Sequence, residues 1–230
     1  MHYDWAELAD RVYRTRLPFL DVTVGAVVGE SGVLLIDCGT TLVEAAAIDD
    51  DVRELAGRGV SHLVMTHHHF DHILGSAGFP HAVSYAAPPV AVALGERLQE
   101  VCAEALRYGA DADQVASAVR AVRPPDHVVW NATIDLGGRA VVVLHPGPGH
   151  TDHDLIVLVP GDPLVVFCGD LVEESADPAV GEDAQPAAWP ETLHRVLSIA
   201  GDDAVYVPGH GAVVDAPFLR RQSDWLSSRS

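Results

Sequence analysis

Lysine is absent. All 14 basic residues are arginine, set against 33 acidic ones, and the formal net charge is −19. So acidic a chain offers no basic patch for nucleic-acid phosphates, and anionic membrane surfaces are disfavoured for the same reason. Cysteine is scarce: Cys38, Cys102 and Cys168 are odd in number and unpatterned. That excludes a disulfide framework and a C-x-x-C site, and each is expected to be a small buried residue. No apolar run approaches the roughly 20 residues needed to cross a bilayer. Residues 1–7 have neither a basic start nor an apolar stretch, so no secretory signal is expected and a cytoplasmic location is. Aromatic residues make up only 6%, yet hydrophobic residues reach 48%, which implies a globular rather than a disordered chain. With no repeat, low-complexity tract or Ser/Gly linker, a single domain over residues 1–230 is expected.

What the sequence does have is β-branched runs, alternating in blocks with helical segments. Residues 21–28 and 32–36 read as a hairpin around Gly29-Glu30-Ser31. Residues 41–57 then read as a helix stopped by glycine, and residues 62–66 as a short buried strand. Two helices are expected over 88–106 and 111–122, closed by Pro124-Pro125. Strands follow at 128–130, 133–136, 140–144, 154–159 and 164–167. A helix at 190–199, a strand at 204–207 and a helix at 217–226 complete the chain. Strands then helices, twice over, suggest two sheets packed together, each covered on its outer side by helices. Residues 177–190, rich in Ala, Pro and acid, read as a flap beside a site.

The 13 histidines are the anomaly. The strand at 62–66 delivers the chain into His67-His68-His69-Phe70-Asp71-His72. In an extended segment side chains alternate, which would turn His67, His69 and Asp71 to one face and His68 and Phe70 to the other. His72 joins them only if the chain turns there. Imidazole and carboxylate together suit zinc, iron or manganese. Three further ligand types follow predicted strands, beside residues that let backbone come close: His150 in Pro146-Gly147-Pro148-Gly149-His150-Thr151, Asp170 in Cys168-Gly169-Asp170, and His210 in Pro208-Gly209-His210-Gly211. Core filling explains a histidine between glycines poorly.

The ordered set H-x-H-x-D-H, G-H-T, G-D and P-G-H-G resembles the metallo-β-lactamase fold superfamily, over a span from Leu35-Ile36-Asp37-Cys38-Gly39 to His210. The resemblance implies an αβ/βα sandwich, a four-layer α/β fold, with its site on the rim between the sheets. It implies that His67, His69 and His150 hold a first metal, that Asp71, His72 and His210 hold a second, and that Asp170 bridges them. Two zinc ions per chain are the implied cofactors, with iron or manganese as substitutes. Asp at 170 and His at 69 place the pattern nearer the hydrolases of the glyoxalase II and lactonase kind. The implied reaction is cleavage of an ester, thioester, lactone or amide bond of a small molecule by a metal-bridging hydroxide, with Asp71 as the base. Only about twenty residues follow His210, so the glutathione-gripping extension of glyoxalase II is not expected. The alternative is a single-iron oxygenase acting on persulfides.

His62, His68, His81, His127, His145 and His194 are expected at the surface or behind the ligands. Asp37, His153 and Asp154 are candidates for orienting ligands. Cys168, two residues before Asp170, is expected to point the same way along its strand.

Overall fold

The computed structural model describes residues 1–229. The aliphatic hairpin forms as the sequence predicts, with β3 (Thr23–Val28) and β4 (Val33–Ile36) buried along their whole length. Before them come β1 (Ala6–Ala9) and β2 (Val12–Arg16), which sequence reading missed. Both are short and partly exposed, so they carry little hydrophobic signal. β5 (His62–Met65), β6 (Val83–Ala86) and β7 (His127–Val128) extend the sheet in chain order, antiparallel from β1 to β4 and parallel from β4 to β7. The second sheet contains β8 (Asn131–Asp135), β9 (Ala140–Leu144), β10 (Ile156–Val159), β11 (Val165–Glu173) and β12 (Val205–His210), in the order β12-β11-β10-β9-β8.

Side-chain alternation divides the apolar residues into three layers. In β4, Val33 and Leu35 face outward beneath α1 (Leu42–Ala56), α3 (Pro88–Gly95), α4 (Leu98–Arg107) and α5 (Ala112–Ala121). Leu34 and Ile36 face inward, where they meet Val157, Val159, Val165 and Phe167 of the second sheet. Ile156 and Leu158 of β10 turn the other way, onto α6 (Trp189–Ala200) and α7 (Ala216–Ser227). Helices, sheet, sheet, helices: this is the αβ/βα sandwich implied by the sequence. Each fully buried Val, Leu or Ile contributes about 1.5–3 kcal/mol, so the middle layer supplies much of the adhesion between sheets.

Two element boundaries need correction. The helix expected over 88–106 is two helices, broken at Glu96-Arg97 after Gly95. The strand expected to end at Phe167 continues as β11 to Glu173. Asp170 therefore sits within a strand rather than after one.

Candidate metal centre

β5 ends at Met65, and the next residues run along the rim where the two sheets meet. Thr66 is fixed twice by the buried carboxylate of Asp37, which accepts from its N–H and its hydroxyl, both at 2.8 Å. Asp37 follows β4 with φ of 56°, a left-handed backbone that Asp tolerates better than most residues. From Thr66 the chain passes through His67 to His69 and enters the one-turn helix α2 (Phe70–Ile73). The turn begins at Phe70, ahead of where the sequence suggests, so Asp71 and His72 reach the site from a helix.

The other ligand types come from the second sheet. β11 meets β12 with a register shift at Gly169, whose φ is +52°. This irregularity breaks the alternation. Cys168 packs in the outer apolar layer with Val166, while Asp170 turns to the rim. Cys168 and Asp170 thus do not point the same way, contrary to expectation. His150 leads into a turn closed by Asp154, which accepts from Thr151 N–H and Oγ1–H, each at 2.8 Å. His210 ends β12, where it bridges to Val22, the residue just before β3.

The structure brings all seven predicted ligand residues together. His67, His69, His150 and Asp170 form one group, and Asp71, His72 and His210 another. In the first group, His69 Nδ1 lies 3.1 Å from His67 Nε2 and 2.9 Å from His150 Nε2. Asp170 Oδ2 lies 3.6 and 3.4 Å from the Nε2 atoms of His67 and His150. In the second, His72 Nε2 and His210 Nε2 are 3.4 Å apart, with Asp71 Oδ2 at 3.8 and 3.5 Å from them. Asp170 reaches this group too, at 3.2 Å from each imidazole. Tetrahedral zinc with bonds of about 2.0–2.1 Å implies donor separations of roughly 3.3 Å, so both groups fit a metal of that size.

The outer ring nitrogens decide what faces inward. His72 Nδ1 donates to Asp37 Oδ2 at 2.8 Å, and His210 Nδ1 to the Leu20 carbonyl at 2.8 Å. His150 Nδ1 donates to the Ala179 carbonyl at 3.2 Å, and His69 Nε2 to Asp183 Oδ2 at 3.0 Å. His67 Nδ1 lies 3.0 Å from Thr66 Oγ1, whose own hydrogen goes to Asp37, so this nitrogen also donates. A neutral imidazole has one N–H, so each inner nitrogen presents a lone pair. Lone pairs about 3 Å apart, facing one another, call for a cation between them.

The electrostatics divide the two groups: burial keeps His67 and His150 neutral, whereas the carboxylates favour protonated rings at His69, His72 and His210, whose inner protons a cation would displace. Burial holds His67 well below its ordinary pKa, helped by His72, and takes His150 down to about 4 despite Asp170. Burial also opposes charge on His72 and His210. There the nearby carboxylates, Asp170 first, outweigh it and raise His72 well up and His210 to about 9. Burial would lift Asp170, but the surrounding histidines, His210 first, hold it well below the usual range. Its buried Oδ1 accepts no hydrogen bond among the described residues.

His68 departs from expectation. Its ring does not turn away from the site: Nδ1 lies 3.1 Å from His153 Nε2, and Nε2 lies 3.6 Å from Asp183. Strict alternation fails because the segment bends into α2 right after His69. Sequence reading also missed Asp183 and Ala179, which orient ligand histidines from the irregular 177–188 segment. The flap reading was the only signal for them. α4 lines the cleft above, through Arg97, Glu100, Glu104 and Arg107.

The sequence profile of the metallo-beta-lactamase superfamily matches residues 17–210. A metallo-beta-lactamase from Pontibacter korlensis superposes with a TM-score of 0.74 at 20% identity, covering 98% of this chain and 99% of that one. The metallo-beta-lactamase FIM-1 from Pseudomonas aeruginosa, in its mono-zinc form, gives 0.75 at 18% identity over 99% and 96% of the two chains. In sequence, the Bacillus cereus metallo-beta-lactamase type 2 is 30% identical over 95 residues, 40% of this chain and 37% of that protein. The chain thus matches about a third of the length of its curated relatives. The profile takes in all seven candidate ligand positions and most of both sheets, and on that ground the chain belongs to the metallo-beta-lactamase superfamily.

Proposed function

We propose that this protein is a binuclear metal-dependent hydrolase, with zinc as the metal, acting on an ester, thioester, lactone or amide bond of a small molecule. His67, His69 and His150 hold one ion, Asp71, His72 and His210 the other, and Asp170 touches both. The observation that carries this reading is the orientation of five imidazoles, each tied through its outer nitrogen so that its lone pair turns inward. Divalent ions in such a setting lower the pKa of bound water and polarise a carbonyl.

The chain's own residues supply the rest. Asp71 is 5% exposed and lines the cleft, so its carboxylate meets the substrate side as well as His210. It is the group placed to accept a proton. The buried rings of His67 and His72 shield the floor from bulk water. Metal analysis of purified protein should give two ions per chain. One iron per chain would instead favour the oxygenase of the same fold. On a panel of lactones, thioesters, esters and β-lactams, Asp71→Asn should lower kcat by about 10²–10⁴-fold with a much smaller change in KM. An unchanged kcat would remove Asp71 as the base.

A further inference from the structure

The cleft above the ligand groups has a wall of its own charge. Glu100 and Glu104 project from α4, Asp152 from the loop after His150, and Glu182 and Asp183 from the 177–188 segment. The only lysine or arginine side chains among the lining residues are Arg97 and Arg107. Five carboxylates against two guanidinium groups leave a rim of net charge −3. Glu173, buried behind His150, is left out of that count.

Neither arginine is unpaired. Arg97 Nη2 lies 2.5 Å from Glu100 Oε2, and Arg107 Nη2 lies 3.4 Å from Glu104 Oε1, both pairs within one turn of α4. Their charge is already offset by those glutamates, so a substrate carboxylate reaching either guanidinium would still face the remaining acids. The five acids are also more exposed than the ligands beneath, so they meet an incoming molecule first. The larger apolar side chains of this wall are Phe70 and Tyr108, whose rings lie 5.6 Å apart, and Leu20. The rest of the chain adds to the repulsion, at −19 overall.

We infer that the site selects substrates whose non-reacting portion is uncharged or cationic, and discriminates against those carrying a carboxylate. This rests on the hydrolase reading above and names its substrate class. A carbonyl oxygen still finds the ligand groups on the floor; what the rim rejects is negative charge held about one side-chain length farther out. Such selection is electrostatic and largely exposed, so it weakens with salt. The Debye length falls from about 10 Å at 0.1 M to about 3 Å at 1 M ionic strength.

The test uses metal-loaded protein and 4-nitrophenyl esters whose acyl chains end in a methyl, a carboxylate or a trimethylammonium group. At low salt, kcat/KM for the carboxylate ester should be at least tenfold below that for the methyl ester, and the trimethylammonium ester should equal or exceed it. The gap should narrow several-fold in 1 M salt. In the double variant Glu100→Gln, Glu104→Gln, which releases both arginines, the carboxylate-to-methyl ratio should rise about tenfold. A carboxylate preference in the unaltered protein, or a ratio unmoved in the variant, would overturn the inference. Methyl ketones carrying the same three chains give a readout independent of turnover, by calorimetric binding to both proteins. If no ester is cleaved, the hydrolase reading fails; the charge inference then stands or falls on whether the carboxylate ketone binds more weakly than the trimethylammonium one.

Discussion

Asp37 shows how much of the site is decided by a residue that does not face the cleft. Its carboxylate accepts from Thr66 N–H, Thr66 Oγ1–H and His72 Nδ1–H, each at 2.8 Å. The last of these turns the lone pair of His72 Nε2 inward. In Asp37→Asn the shape is kept, but one oxygen becomes an NH₂ that accepts nothing: in the Oδ2 place it loses both Thr66 Oγ1–H and His72 Nδ1–H, and in the Oδ1 place it meets Thr66 N–H. If the amide nitrogen faces His72, the ring proton moves to Nε2, where a metal would bind. Loss of an orienting partner typically costs 10–100-fold in metal affinity. The variant should therefore retain the ion held by His67, His69 and His150 and lose the second on dialysis, going from two ions per chain to one. Two ions retained with unchanged affinity would mean that Asp37 serves the backbone alone. Asp37 was legible as an orienting candidate because it ends a strand beside the ligands. His68 was misread, because period-two alternation holds only while the chain stays extended, and here it bends within three residues.

At the scale of elements, the sequence was most legible where local chemistry is explicit. Thr41 caps α1 with a complete capping box to Glu44, and Gly57 closes it at φ 69°, as the helix expected over 41–57 requires. Breaks carried by one weak signal were lost, as between α3 and α4. β11 was cut short because Cys168-Gly169-Asp170 reads as a strand end; in fact Gly169 is a bulge that lets the strand continue while re-aiming Asp170. A Cβ at 169 would lie 2.9 Å from Thr66 Oγ1 and 3.0 Å from its Cβ, at a backbone φ of +52°. Thr66 cannot give way, since Asp37 holds it twice. Gly169→Ala should cost about 1–3 kcal/mol from the left-handed backbone and the contact together. Because Asp170 follows directly, metal content should fall with it. A denaturant titration alongside metal analysis checks both; a stability loss with two ions retained would show that the bulge supports the fold without aiming the ligand.

Across the whole molecule, the candidate ligands come from two sheets that otherwise adhere through an aliphatic middle layer. His67, His69, Asp71 and His72 follow a strand of the first sheet, while His150, Asp170 and His210 come from the second. Direct ties at the rim include Leu155 N–H to the Thr66 carbonyl at 2.9 Å, His210 Nδ1–H to the Leu20 carbonyl at 2.8 Å, and the bridge from Val22 to His210. Without metal, the inward nitrogens of His67, His69 and His150 crowd and repel one another, and Asp71 and Asp170 are offset only by protons on His72 and His210. A cation bound only by the folded state removes those repulsions and fastens one sheet to the other. At a thousandfold excess over its dissociation constant it stabilises by about 4 kcal/mol. For a domain of this size each kcal/mol moves Tm by about 2–4 °C, so chelation should lower Tm by roughly 8–16 °C. Re-addition of zinc should restore it, and magnesium, which prefers oxygen ligands, should not. A melting curve unchanged after verified metal removal would mean that the middle layer alone holds the sheets in place and that the rim is preformed at no cost to the fold.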